Sequence, residues 1–424
     1  MKKKIYLLFI AALMGVTLTL SGCSSTADAK NQRVLNIWTF TDEARYAVKV
    51  FEKQNPDIKV NLLYINGSNY LQKLISVLQT GKNVPDVFFV EATTWPKIKT
   101  IPLLENLSKA PYNAGEIAKN QFPYIQDIQK DEKGNIKGLG YQGTPGAFYY
   151  RRDLAKKYLG TDDPEAVSGK IASWDTIMTL GEKVAKESNG KVHVLSGRSD
   201  IDAVQSALIK RPWIENGKLV IDKARLDQID LSKEAREKNV EAKFDSWSSG
   251  WTASMQKGSV MFYAMPTWAL PFVFEANAPK TSGKWGLAKG PSDFSGGGTF
   301  LAMYSKSTHK DLAWKFMDFY TSNSDFLKNL AKSQQYFLSN KTIDQELAPN
   351  LTSDFLGGQK YFEFFVKAGE NVPSVPRTEY DNDMNTIWNS KLNDYLNGNV
   401  KTKEQMIKNF KTEVGRLFPE IEVN

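Results

Sequence analysis

Three short groups of residues in this chain set an aromatic ring or an amide beside other polar groups. Trp38 and Phe40 lie just before Glu43; Glu91 is followed by Thr94 and Trp95; Asn66 and Asn69 enclose Gly67-Ser68. Such sets suit a polyhydroxylated ring. The C–H faces of a pyranose pack on aromatic rings. Its hydroxyls donate and accept, so carboxylates, amides and arginines satisfy them with paired hydrogen bonds. Further on, Trp247 and Trp251 stand four apart in FDSWSSGW, and Trp213 follows Arg211-Pro212. If helical, the 247–251 spacing puts both indoles on one face. Each group also has a plainer reading. A tryptophan past a strand packs in a core as readily as it meets a ligand, and Asn-Gly-Ser is an ordinary turn. Aromatic residues make up 12% of the chain, so only their positions single any of them out.

The elements that would position these groups follow from periodicity. Val34–Phe40 (VLNIWTF) is apolar and rich in strand formers. Asp42 offers a helix cap, Ala44, Ala47, Val50 and Phe51 recur at helical spacing, and Pro56 ends the run. Ile58–Tyr64 returns to strand character. Tyr70–Thr80 is helical, with Leu71, Leu74, Ile75 and Leu78 on one face and Gly81 as its stop. Val87–Val90 reads as a buried parallel strand. Strand–helix–strand–helix–strand is the pattern of an α/β domain whose helices cover a parallel sheet. A second such region begins near Ser173, a cap for a helix with Ile177, Leu180 and Val184 inward. Gly258–Met265 is another apolar strand, and Ala313, Phe316, Met317 and Tyr320 line another helix. The chain past Pro373 reads as helical, broken at Asn397-Gly398-Asn399.

Composition bounds the class. With 424 residues the chain exceeds what one core usually serves, so two domains are expected. The formal charge is +8, but Lys2, Lys3 and Lys4 supply three of those charges and the rest is dispersed in mixed-sign stretches. No basic cluster points to nucleic acid. Only two histidines occur, His193 and His309, which disfavours a histidine zinc centre or a histidine triad. No recognisable glycosidase motif and no Walker-type loop are found; no metal or cofactor is expected. Three glycines at 296–298 are by themselves a weak phosphate signal.

The amino terminus has the order basic (Lys2–Lys4), apolar (Ile5–Leu20), small, then Cys23, the only cysteine. That order reads as a secretory signal, residues 1–22, and the apolar run is shorter than a membrane span needs. Leu20-Ser21-Gly22-Cys23 resembles the lipobox of bacterial lipoproteins, which implies lipidation of Cys23 and a tether over residues 23–33. The body would then lie on the outer face of the cytoplasmic membrane, of Gram-positive type.

Beyond the tether, ordered segments resemble the extracellular solute-binding proteins of bacterial ABC importers, nearest to those for sugars and oligosaccharides. They are VLNIWTFTDE (34–43), FEKQNPDIKV (51–60), LQTGKNVPDVFFV (78–90), GLGYQGTPGAFYYRRDL (138–154), GSVMFYAMPTW (258–268) and GGGTFLAMYSKS (296–307). Arg151-Arg152 replaces the usual Asn-Lys, and Pro-Thr-Trp replaces the usual Gly-x-Trp. The resemblance implies an α/β fold of two lobes with a hinge and an interlobe cleft. The first lobe is expected at 34–141 with 284–324, the second at 147–281 with 327–424. It also implies a stacking role for Trp268, a hinge-side strand in which Gly297 lets backbone approach a ligand, and site positions at Tyr141, Tyr336 and Arg377. The implied partners are permease subunits and, through them, a cytoplasmic ATPase, served by a monomeric binding protein. A glycerophosphodiester or a polyamine is the alternative ligand. A secreted glycosidase or an adhesive surface lipoprotein is the alternative of another class.

Overall fold

The computed structural model describes residues 32–423; the signal segment and Cys23 lie outside them. Eleven strands follow in chain order: β1 Arg33–Thr39, β2 Ile58–Tyr64, β3 Val87–Glu91, β4 Leu139–Gly140, β5 Gly146–Arg151, β6 His193–Leu195, β7 Ile214–Glu215, β8 Lys218–Leu219, β9 Val260–Pro266, β10 Trp285–Ala288 and β11 Thr299–Met303. They build a five-stranded sheet ordered β2-β1-β3-β11-β4, a four-stranded sheet ordered β10-β5-β9-β6, and the small β7-β8 hairpin. β1 runs parallel to β2 and β3, as the sequence predicts. β11 runs antiparallel to β3 and β4, so the sheet is mixed rather than parallel.

Local chemistry explains the elements. The helix Glu43–Gln54 buries Ala44, Ala47, Val48 and Phe51. Asp42 precedes it but makes no side-chain cap; its carboxylate pairs with Arg45 instead. The next helix spans Gly67–Thr80 and ends on Gly81 at φ 65°, a left-handed stop that glycine adopts without Cβ strain. Ser173 caps Trp174–Glu187 in a reciprocal pair with Thr176. Asn397-Gly398 separates the helices Asp381–Leu396 and Lys403–Leu417.

The chain passes between the sheets along paired strand segments. Gly146 donates to Phe294 (2.7 Å) and Gly296 to Thr144 (3.1 Å), and Pro145 bridges Ser295. On the other side Gln142 bridges Leu338, with Ser339 donating to Tyr141 and Gly143 to Phe337. The return to the first sheet falls later than expected. Trp285–Ala288 pairs with β5 of the second sheet, and β11 is the strand that rejoins the first. The stretch after Ser324 also departs from the expected boundary. Phe326 packs on Tyr46, Phe319 and Tyr320 of the first lobe, while the helix Tyr361–Asn371 packs on β5 through Phe365 and Tyr149. One apolar core therefore runs from the first sheet to one face of the second. A second core covers the other face. A third gathers Trp213, Trp388 and Phe410 between the hairpin and the last two helices.

Candidate ligand-binding cleft

The carboxyl ends of β1, β2 and β3 open toward the hinge, where open α/β sheets place ligands. Trp38 and Phe40 are half-buried there. Tyr70 donates its hydroxyl to the carbonyls of Phe89 (2.7 Å) and Trp38 (3.1 Å), and its ring meets Phe40 at 5.2 Å. These contacts pin the ends of β1 and β3 together. Asn66 and Asn69 are exposed at the start of the helix after β2.

Glu91 ends β3 and Trp268 follows β9, so they come from different sheets, yet both meet Gly297. A Cβ on Gly297 would stand 3.2 Å from Trp268 Nε1 and 4.0 Å from Glu91 Oε1. Gly297 has φ 70° and Gly298 φ 105°, backbone that glycine adopts freely. Trp268 Nε1 donates to the Gly296 carbonyl at 3.0 Å, which fixes the indole against the hinge. Glu91 accepts from the Thr93 backbone N–H at 3.0 Å and from its hydroxyl, while Thr94 donates to the Glu91 carbonyl. Burial pushes the Glu91 carboxyl above its usual range, with Thr93 and Arg377 opposing.

Trp247 stacks on Trp268 at 6.0 Å and 12° and leaves 62% of its surface open. It adopts φ 71°, unusual for a bulky residue and of a kind that costs on the order of 1–3 kcal/mol. Trp247 is not on a helix with Trp251. Ser248 caps Ser249–Lys257, so the helix begins after Trp247 and the indoles meet at 5.5 Å across the cap. Behind them Asp200 accepts from Ser196 N and Oγ, Gly197 N and Ala264 N. Ser196 Oγ in turn accepts from Trp251 Nε1 at 3.2 Å. Burial raises Asp200 to about 6.

The family model for bacterial extracellular solute-binding proteins matches residues 38–325. The chain belongs to this family. Three solved structures show how far the fold extends. An extracellular solute-binding protein of family 1 is 20% identical, with TM-score 0.81, covering 90% of this chain and 99% of its own. A lacto-N-biose-bound binding protein from Bifidobacterium longum is 19% identical, with TM-score 0.74, covering 94% and 100%. The sugar-binding protein MalE of Xanthomonas citri is 17% identical, with TM-score 0.74, covering 92% and 98%. No curated protein matches the sequence significantly.

In this solute-binding protein several expected platforms are enclosed. Trp95 is fully buried, stacked on Phe300 at 4.9 Å, and donates to the Ile128 carbonyl, so it offers a ligand no face. Trp213 lies in the third core beneath Arg225, and Trp251 is buried against Tyr263. Tyr141 and Tyr336 are buried as a stacked pair (6.2 Å, 13°). Both hydroxyls reach Glu43 Oε1, at 3.0 and 3.3 Å, so they orient that half-buried carboxylate rather than line a pocket.

Two features were not foreseen. A cavity of about 510 Å³ lies between Lys99 and residues 124–132 on one side and Ser206 and Lys210 on the other, under the segment 372–377. That volume is in the usual range for small-molecule sites. Arg377 lines it and also borders the recess at Gly297 and Gly298. Phe272, 54% exposed, sits in a π-helix (Leu270–Glu275) that begins just past Trp268. The Pro271 beside it gave no such signal in the sequence.

Proposed function

We propose that this protein captures a carbohydrate, an oligosaccharide, in the cleft between its lobes and delivers it to an ABC permease, without chemical change. The observation that carries the reading is the meeting of Glu91 from one sheet and Trp268 from the other at Gly297, with exposed Trp247 stacked beside them. An aromatic wall beside a carboxylate is what a sugar ring needs. A ligand touching both lobes favours the closed form, and hinge closure is the signal a permease reads. Names of several fold neighbours agree, including proteins bound to lacto-N-biose, β-1,6-galactobiose and maltose. We further propose that the protein acts as a monomer on the outer face of the membrane, held by lipid on Cys23, with an ATPase driving its permease from inside.

The test is a thermal-shift screen of the protein against neutral and acidic oligosaccharides of increasing length, with glycerophosphocholine and spermidine alongside. A ligand at about 100 times its Kd stabilises by roughly 2.7 kcal/mol. A shift with one sugar class that grows to a plateau with chain length supports the reading. Silence from every sugar overturns it.

A further inference from the structure

The interlobe cavity is unevenly charged. Lys99, Lys130, Lys210 and Arg377 face it with Asp127, Asp131 and Glu132. Two of the three acids accept hydrogen bonds within the chain, which orients them without removing their charge. Asp127 accepts from the Ser374 hydroxyl, and Asp131 accepts from the backbone N–H of Lys133 and Asn135 and from the Asn135 amide. Glu132 is exposed to solvent. Of the bases, Lys99 alone is engaged among the described residues, donating to the carbonyls of Lys130 (2.9 Å) and Ile128.

Arg377 is the anomaly. Its Nε is buried and has no hydrogen-bond partner, although the residue as a whole is half-buried and Asp381 and Glu91 both act on its charge. Asp381, whose charge it feels, accepts from Thr378 N (3.1 Å) and Oγ1 (2.9 Å) instead. A planar guanidinium matches carboxylate and phosphate oxygens in bidentate fashion. Leaving its buried Nε donor without a partner is unfavourable to the fold. Glu91 and Asp381 offset part of that cost, but neither hydrogen-bonds the Nε donor.

We propose that the cavity at Arg377 receives an anionic group on the ligand, a carboxylate or a phosphodiester, beside the neutral ring stacked at Trp268. This builds on the binding reading above. Carried on a sugar, the anion makes the ligand a uronate-containing oligosaccharide; carried on glycerol, a glycerophosphodiester.

The experiment measures calorimetric affinities of trigalacturonate, maltotriose and glycerophosphocholine for the wild-type protein, Arg377→Gln and Arg377→Lys, at low and high salt. Expected is at least tenfold tighter binding of one probe that carries a carboxylate or a phosphodiester than of maltotriose. Arg377→Gln removes that preference, Arg377→Lys restores part of it, and the melting temperature of Arg377→Gln is equal to or above wild type. Preference for trigalacturonate identifies the acidic sugar. Preference for glycerophosphocholine keeps the anion site and overturns the sugar reading. Tighter binding of maltotriose than of both other probes, or an equal loss for all probes in Arg377→Gln, overturns the anion site and leaves the sugar reading standing. A lower melting temperature in Arg377→Gln assigns the arginine to the fold and also overturns the proposal.

Discussion

At the scale of residues, the cleft separates rings that can meet a ligand from rings that hold the fold. Trp268, half-buried and fixed by its bond to Gly296, belongs to the first kind. Trp268→Ala is expected to weaken sugar binding by about 2 kcal/mol or more, as loss of an anchoring aromatic does. Titration of the folded variant checks this, and unchanged affinity would make Trp268 structural. Asp200 is among the groups behind those rings that hold the fold. Its folded value of about 6 lies above the ordinary 3.8, because burial disfavours the anion. The fold thus binds that proton more tightly than the unfolded chain does. Its contribution is full below about 3.8 and is lost as pH rises through 6. Lowering the pH from 7 to 5 should therefore stabilise the protein through this group by about 1 kcal/mol. Asp200→Asn should lack that gain. Urea unfolding at both pH values decides it; a wild-type-to-variant difference independent of pH would contradict the assignment. Strand-end position singled out Glu91, and the resemblance singled out Trp268, Gly297 and Arg377; in the fold all four gather around Gly297. Neither signal could tell them from Trp95, Tyr141, Trp213, Trp251 and Tyr336. Which way a ring points depends on packing from distant segments, such as Phe300 over Trp95 or Tyr336 over Tyr141.

At the scale of elements, the apolar period revealed what local propensity controls. β1 to β3 and the helices between them lie close to where alternation and capping residues predict. Two things escaped. Ser248 begins a helix one residue past Trp247, a boundary that hydrophobic spacing does not mark. β10 has the same apolar character as β11, and only its pairing with β5 assigns it to the second sheet. The last helices also gain a meaning that sequence withheld. They close a separate core on Trp213, whose indole donates to Asn385 at 2.8 Å and lies beneath Arg225 at 3.7 Å. Trp213→Ala should cost about 3–5 kcal/mol of stability, the range for a large aromatic in a core. Folded protein should bind ligand as before. Denaturant titration with parallel calorimetry tests both halves, and a binding defect in stable protein would return Trp213 to the site.

At the scale of the molecule, two lobes are built from a chain that crosses between them more than once. The resemblance of ordered segments pointed to this plan, and the family model and fold neighbours agree with it. The exact crossing points were hidden because they are set by strand pairing, not by composition. β11 lies between β3 and β4, although more than 150 residues separate it in sequence from either. Until residue 303 has been synthesised, β3 and β4 have no strand between them, and the sheet of the first lobe has an unfilled slot next to its edge. β2, β1 and β3 can pair early, but the sheet is completed only when that late strand arrives, and distant contacts of this kind slow folding. A chain still crossing a membrane from its amino end would stay pliable until most of it had passed.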